Sequence, residues 1–202
     1  MRLSDGQTFV KSTLDGMTWI AQDLQFDEQD SPSRDFMEAR LRSKFWDVQA
    51  AIFKPFIKTA LSKSLERRQT GPCPILTSDK TSKRRASESG IWEETIKMTK
   101  TAIFYVIKSI EAFHGVDGNR IPDNILVIAH RQTVNLLILA AVYRDPFLGG
   151  LVEPVKLGYL FQRTITMLDL HVQLGGALMG EKRILQTVAD QLHVLPSNFT
   201  SR

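Results

Sequence analysis

Apolar side chains recur every three or four residues along most of the 202-residue chain, which is the spacing of amphipathic helices. Helices are predicted over 7–26, 35–68, 91–113, 123–143, 154–172 and 181–193. No run of alternating β-branched and polar residues lies between turn signals, so no strand is predicted. The pattern therefore predicts an all-α protein, an irregular helical bundle of about six to seven helices with one long flexible loop, in a single domain that covers 1–202.

The longest segment, 35–68, carries one apolar stripe that we expect to be buried. The stripe consists of Leu41, Phe45, Val48, Ile52, Phe56, Ala60 and Leu65. Pro55 lies in the middle of the segment, where a proline removes a backbone donor and clashes with the preceding turn at a cost of about 3 kcal/mol. We therefore expect a kink or break near 53–55, so that the segment forms two packed helical pieces.

The pattern also assigns the inward positions of the later helices. Residues 136–142 are apolar on every side, which predicts that 123–143 is the central, buried helix. Pro154 suits the first turn of a helix, and the pair Gly175-Gly176 is predicted to end that helix. The other predicted inward positions are Ile96, Ile103, Ile107 and Ile110; Leu157, Leu160, Phe161, Ile165, Leu168 and Val172; and Ile184, Leu185, Val188 and Leu192.

Residues 69–90 have no apolar period and are rich in Ser, Thr, Pro and Gly, which predicts a flexible surface loop. The loop contains a short basic patch formed by Lys80, Lys83, Arg84 and Arg85. Such a patch fits either a nuclear import signal or a solvated run of charge. Residues 84–87 read Arg-Arg-Ala-Ser, a pattern that basic-directed kinases recognise, so Ser87 is a candidate phosphorylation site whose phosphate would mask the patch.

The net charge of +4 is unevenly distributed. Residues 1–34 carry a net −3, 35–69 a net +4, 70–90 a net +2 and 91–202 a net +1. The basic excess therefore lies on one helix and the loop after it, and is weaker than the basic face of a DNA-binding module. No secretory signal pattern occurs, and the most apolar stretch, 125–143, contains polar residues at 130–132 and 135, so we expect no membrane association.

Searches for catalytic and metal-binding patterns give no candidate site. The single cysteine, Cys73, excludes a disulfide framework and a zinc site built from several thiolates of this chain. The four histidines are widely spaced, and no Gly-x-Ser-x-Gly or phosphate-loop pattern occurs. The acidic cluster of Asp27, Glu28 and Asp30 lacks a partner cluster on a later helix, as a helical synthase would need to hold magnesium. We therefore expect no enzyme activity, no cofactor and no metal ion in this chain.

Four segments, taken in order, resemble the regulatory region of fungal binuclear zinc-cluster transcription factors. The first reads Leu-Arg-Ser-Lys-Phe-Trp at 41–46 and Ala-Ala-Ile-Phe-Lys-Pro-Phe-Ile at 50–57; the second reads Ile-Glu-Ala-Phe-His-Gly-Val at 110–116; the third comprises Asn-Ile at 124–125, Ala-His at 129–130 and the apolar block 136–143; the fourth reads Leu-Phe-Gln-Arg-Thr-Ile at 160–165. The resemblance departs from the family pattern at Phe53 and Lys54, where the family has His or Tyr and then Arg. Lysine keeps the charge but loses the planar fork that makes bidentate contacts.

The resemblance implies an all-α regulatory domain of a nuclear protein that regulates transcription by RNA polymerase II. Its implied partners are proteins of the transcription machinery or a regulator. The family reads DNA through a zinc cluster held by six cysteines, and this chain has one. We therefore expect the C-terminal part of the regulatory domain, incomplete at its N-terminus, with zinc and DNA contacts only in the missing N-terminal domain.

Two other interpretations of the sequence stay open. The first is a stand-alone helical protein-interaction module, in the cytoplasm or the nucleus. The second is a helical lyase or synthase, for which magnesium-dependent turnover of a prenyl diphosphate would be the signature. The sequence leaves the effector, the target genes and the oligomeric state open.

Overall fold

A computed structural model describes residues 36–70, 79–116, 124–171 and 175–195, all within one compact unit, Ser33–Arg202. These residues form five α-helices: α1 (Phe36–Thr70), α2 (Asp79–Glu111), α3 (Ile125–Arg144), α4 (Pro154–His171) and α5 (Gly176–Leu192). A short 3₁₀ helix, Gly149–Leu151, connects α3 to α4, and no strand occurs in the described ranges. The all-α class is confirmed. The predicted helix over 7–26 lies outside the described residues, and the extent of the domain stays a prediction.

Helix α1 continues through Pro55 as one helix, so the predicted break into two pieces is wrong, whereas the kink stays a prediction. A proline in a helix leaves the carbonyl four residues earlier without its helical donor, here the carbonyl of Ala51. Ala51 and Pro55 are both exposed, so water can take the place of that donor. The Thr59 hydroxyl donates to the Pro55 carbonyl at 3.0 Å, a further local contact on this turn. The proline therefore interrupts one hydrogen bond on the solvent side and leaves the helix continuous.

The buried face of α1 is not the predicted stripe. The buried positions on α1 are Ala39, Ser43, Ala50, Ile57, Ala60 and Ser64. Of the predicted stripe only Ala60 is buried, whereas Leu41 is 43%, Val48 is 44% and Ile52 is 59% exposed. At 100° per residue Leu41, Val48 and Ile52 lie on the side of α1 opposite the buried positions. The small residues form the buried face because they let the neighbouring helix approach closely.

Helices α1 and α2 form an antiparallel pair, since positions early in α1 contact positions late in α2. Ser43 lies against Ser109, and the Thr99 hydroxyl donates to the Phe56 carbonyl at 3.3 Å. The ring of Tyr105 lies 5.8 Å from that of Trp46, in a stacked arrangement. Small residues, hydroxyl groups and aromatic rings therefore all contribute to the contact between the two helices.

Helix α2 begins at Asp79, so the prediction of a flexible loop over 69–90 is wrong for 79–90. Residues 71–78 lie outside the described ranges. Lysine, arginine, alanine and glutamate favour helix, and these residues fill most of 83–88. Extending a helix that is already packed costs far less than starting one, because each further residue adds a hydrogen bond. The missing apolar period of 79–90 therefore does not exclude a helix.

Helices α3, α4 and α5 pack against one another, and α3 and α4 also pack against α2. In α3, Leu136, Leu139 and Val142 are fully buried, which confirms its central position. Helix α4 begins at Pro154 and buries five of its predicted inward residues, Leu157, Leu160, Phe161, Ile165 and Leu168. Val172 lies outside the described residues.

The start of α5 differs from the prediction. Gly175 is the N-cap of α5 and Gly176 its first residue, so the glycine pair begins a helix and does not end α4. Leu178, Leu185 and Ala189 are its buried positions, while Ile184 is 47% exposed. The prediction of Ile184 as an inward residue is therefore wrong. Leu178, Leu185 and Ala189 are seven and four residues apart, which places them on one face of α5, and Ile184 lies outside that face.

Helix α3 is the one helix in the described part of the chain that is long and apolar enough to cross a membrane. In the structure 56% of its apolar window is buried within the protein. Its polar residues Gln132, Thr133 and Asn135 are among the buried ones. Length and composition alone therefore do not separate this core helix from a membrane span.

Candidate functional site

The predicted basic patch and phosphorylation site lie in the first turns of α2 as a helical segment. These residues are Lys80, Lys83, Arg84, Arg85 and Ser87. A receptor or kinase that binds this segment as an extended peptide requires these first turns to open locally. The two functions stay predictions, but the premise of a flexible loop does not apply to them.

The exposed side of α1 presents apolar residues in a row, which we call the outer stripe: Leu41, Val48, Ile52 and Phe56. Phe45 is partly buried between the first two. Their spacing of seven, four and four residues keeps them on one face of the helix. Large apolar residues clustered on a surface mark interaction sites more often than scattered ones do. The outer stripe is therefore a candidate protein-binding surface.

Basic side chains border one edge of the outer stripe. Arg40, Lys44 and Lys58 form no ion pair with another described residue. On the other edge Glu38 and Arg42 pair with each other across one helical turn. The surroundings of the stripe are thus positive, and they favour a partner that carries acidic side chains next to its apolar ones.

A groove of about 440 Å³ runs between α1 and α3. Three contacts join α1 to α3 or to the residue after it: Asp47 with Arg131, Lys54 with Asn135, and Ser64 with Asp145. The residue numbers rise together along the two helices, so the helices are parallel. Their backbones approach less closely than those of α1 and α2, which leaves the groove between them. Its apolar wall is formed by Ile57, Leu61, Val134, Leu137, Ile138 and Ala141.

A buried polar cluster joins α1, α2 and α3 beside this groove. The Ser109 hydroxyl donates to Asp47 Oδ1 at 2.6 Å and lies 3.3 Å from the Ser43 hydroxyl. The Asn135 amide lies 3.3 Å from the Ser109 hydroxyl, and the Gln132 amide donates to the Ser109 carbonyl at 3.2 Å. Ser109 is fully buried and no histidine among the described residues contacts its hydroxyl, so nothing here marks it as a nucleophile. The cluster instead fixes the relative positions of the three helices.

Two cations lie at the margin of the polar cluster. Arg131 Nη1 lies 2.9 Å from Asp47 Oδ2, an ion pair without hydrogen-bond alignment. Lys54 Nζ donates to Asn135 Oδ1 at 2.9 Å. Burial lowers the pKa of Lys54, the Asp47 carboxylate opposes this, and the Arg131 guanidinium adds to it. Lys54 is therefore a partly desolvated cation at the entrance to the groove.

Asp145 joins the end of α3 to α1. Its carboxylate is buried and accepts hydrogen bonds from the Ser64 hydroxyl at 2.6 and 2.7 Å, from the backbone N–H of Phe147 at 2.9 Å and from that of Leu148 at 3.1 Å. The guanidinium of Arg68 pairs with the same carboxylate. Burial raises the pKa of Asp145, but these hydrogen bonds and the nearby Arg68 charge outweigh it, and the net pKa is lowered. Asp145 thus remains ionised while it organises the turn after α3.

His114 lies buried at the turn after α2, next to α4. Its ring meets the Tyr159 ring edge-on, with 5.5 Å between centroids, and the Arg163 guanidinium donates to the His114 carbonyl. Neither ring nitrogen has a hydrogen-bond partner among the described residues. Burial, with smaller contributions from Arg163 and Lys156, lowers the pKa of His114 to about 3. His114 is therefore neutral at physiological pH and packs as an aromatic ring.

We expect the folded protein to lose stability as the pH falls from about 6.5 toward 3, with His114 as one contributor. In this window the unfolded chain binds a proton at His114 that the folded chain does not, because the folded pKa is lowered from 6.5 to about 3. The contribution approaches about 1.4 kcal/mol per pH unit. Urea unfolding across this pH range should show a shallower dependence for His114→Phe than for the wild type.

The exposed His130 provides the control for this experiment, since its side chain is 71% exposed. His130→Gln should retain the steep pH dependence of the wild type. Equal slopes for His114→Phe and the wild type would show that His114 titrates normally in the folded protein.

The sequence analysis missed Asp47, Asn135 and Asp145, which organise the polar contacts. A signal existed for two of them: Asn135 interrupts the most apolar stretch of the chain, and Asp145 precedes Pro146 at the end of that stretch. Asp47 has no such signal, because a carboxylate on a charged helix normally faces water. Buried polar residues show themselves only when their partners on other helices are known.

Among the described residues no group of three or more His, Cys, Asp or Glu side chains is placed to hold a metal ion. Cys73 and the acidic cluster of Asp27, Glu28 and Asp30 lie outside those residues. Comparisons of the chain with known protein families, with curated proteins and with solved structures find no match.

Proposed function

We propose that this chain is the regulatory module of a fungal zinc-cluster transcription factor, which acts on transcription by RNA polymerase II when joined to a DNA-binding domain. In this proposal the module works in the nucleus by binding a protein and carries out no catalysis. DNA contact and zinc belong to a separate zinc-cluster domain. The observation that carries the proposal is the outer stripe of α1, an apolar row opposite the buried face.

The outer stripe supports a protein partner of defined chemistry. Four large apolar side chains on one helix face offer a surface for an amphipathic helix, which would contact them with its own apolar residues. The basic edge formed by Arg40, Lys44 and Lys58 would attract acidic residues beside that apolar face. We therefore propose an acidic amphipathic segment of a transcriptional regulator as the partner.

The contacts between the family-like segments give further support. Arg163 in the fourth segment donates to the carbonyl of His114 in the second. Trp46 in the first segment stacks on Tyr105 of α2. Lys54, where the family has arginine, makes one hydrogen bond to Asn135, which suits an ammonium and does not need a planar fork. Residues that carry the resemblance thus contact one another or core helices, as expected for motifs that maintain a shared fold.

The test is a reporter assay in a fungal cell. The full chain is fused to an unrelated DNA-binding domain whose site lies upstream of a reporter gene. We expect the fusion to raise or lower reporter transcription relative to the DNA-binding domain alone. Ile52→Glu should reduce this effect about tenfold, because it places a charge in the centre of an apolar contact and repels acidic residues of the partner.

Leu170→Glu on α4 is the matched control, since Leu170 is 60% exposed and Ile52 is 59% exposed. This control should keep the full effect at equal protein level. A fusion that leaves transcription unchanged would contradict the proposal. An equal loss in both variants would show that the outer stripe is not the binding surface.

The stand-alone interaction module is the second candidate, and the same outer stripe favours it. The two candidates differ in the expected result of the reporter assay. For the stand-alone module, a partner would bind the outer stripe and Ile52→Glu would weaken that binding, but the fusion would leave reporter transcription unchanged.

A further inference from the structure

We propose that the groove between α1 and α3 is a binding site for a medium-chain aliphatic carboxylate, with Lys54 and Lys58 holding the carboxylate and the apolar wall holding the chain. This inference does not rest on the proposed function: Lys58 borders both surfaces, but the apolar wall of the groove contains no residue of the outer stripe. It identifies the ligand by chemistry: one negative charge at one end of a linear hydrocarbon chain.

The shape of the groove suits such a ligand. On α1 it extends from Lys54 to Ser62, nine residues that span roughly 12 Å of helix. Its volume of about 440 Å³ lies within the range of small-molecule sites, roughly 300–1,000 Å³. Six apolar side chains line it, and four of them are leucine or isoleucine residues on the facing helices, Ile57, Leu61, Leu137 and Ile138. A linear chain that lies along the helix axes would therefore bury its methylene groups against both walls.

The polar groups of the groove are placed at one side and favour an anion. Lys54, Lys58 and Ser62 are the polar residues that line it, and no acidic residue does. Lys54 and Lys58 are one helical turn apart, so both ammonium groups can reach one carboxylate. Asn135 accepts one hydrogen bond from Lys54, and an ammonium has three to donate. The remaining donors are available to a ligand.

The surroundings of Lys54 give a second reason for an anionic group. Burial lowers the pKa of Lys54, which means that its charge is poorly solvated where it lies. The nearest carboxylate, Asp47, is already paired with Arg131. A ligand carboxylate at Lys54 would supply a charge-assisted hydrogen bond in a place of reduced solvation, where such bonds are strong.

The test is calorimetric titration of the full chain with decanoate, kept below the concentration at which it forms micelles. We expect saturable binding with one ligand per chain. Decanol has the same tail without the charge and acetate has the charge without the tail, and both should bind at least about tenfold more weakly. Decylamine should not bind, because its cation meets Lys54 and Lys58.

Three variants locate the site. Lys54→Met and Lys58→Met should each weaken decanoate binding about tenfold, since each removes one cationic donor and keeps an unbranched side chain. Lys58 is exposed and makes no described ion pair, so its variant keeps the test valid even if Lys54→Met alters the fold. Ala141→Phe should abolish binding, because Ala141 lies in the wall and is exposed enough to accept a ring that fills the groove.

Two control variants make the same chemical changes elsewhere. Lys63→Met lies on α1 outside the groove, and Ala177→Phe lies at an exposed position of α5. Both should bind decanoate as the wild type does. Equal binding of decanol and decanoate, unchanged affinity in Ala141→Phe, or the absence of saturable binding would each overturn the proposal. Capture of an acidic peptide helix in the groove without decanoate binding would also overturn it.

Discussion

Asp145→Ala is expected to lower the free energy of unfolding by about 3 kcal/mol, because it removes a buried acceptor that four donors share. Ser64 is fully buried, so its hydroxyl would lose its partner without gaining water. The backbone N–H groups of Phe147 and Leu148 would lose the acceptor that holds the turn between α3 and α4. Urea unfolding at neutral pH, followed by far-UV circular dichroism, measures this loss.

Arg68→Met provides the control, since Arg68 pairs with the same carboxylate but is 44% exposed. An ion pair with one exposed partner contributes little, so we expect a loss of about 1 kcal/mol or less. Equal losses in the two variants would show that the ion pair dominates. The organisation of the turn would then not be the main role of Asp145.

Ile57→Ala is expected to cost about 3 kcal/mol, whereas Ile52→Ala is expected to cost about 0.5 kcal/mol or less. The two residues have the same type and lie on the same helix, but Ile57 is 2% exposed and Ile52 is 59% exposed. The first substitution leaves a cavity between α1 and its neighbours, and the second removes methyl groups that already contact water. Urea unfolding of the two variants side by side compares the two faces of α1 directly.

This pair of variants contains its own control, because helix propensity changes equally in both. A larger loss for Ile52→Ala than for Ile57→Ala would contradict the assignment of the buried face. It would instead support the stripe that the sequence pattern predicts as buried. The result for Ile52 also bears on the reporter assay, since a variant with normal stability reports on binding alone.

The all-α class and most helix positions were predictable from periodicity and turn residues. Pro154 starts α4, and five of the predicted inward residues of that helix are buried, because one face is apolar and the other is polar. Helix α1 was harder, since it is apolar on two sides. Side-chain size predicts that Leu41, Val48 and Ile52 form the buried face of α1. In the structure, close packing against α2 places alanine and serine residues on that face instead.

The candidate sites were predictable only in small part. The resemblance drew attention to Lys54 as a departure from the family pattern. Its position at the groove depends on the parallel arrangement of α1 and α3, which local sequence does not encode. The buried cluster around Asp47 and Ser109 joins residues 62 positions apart, and no local pattern relates them.

The sequence by itself determined that this protein is helical, where most of its helices lie and which residue types each helix can present. Only the tertiary structure decided which face of α1 is buried, which polar residues are buried with partners, and where a groove remains. The physical reason is that helical periodicity fixes the angle between residues on one helix. Burial depends on how closely a second helix approaches, and that distance is set by side chains far away in the sequence.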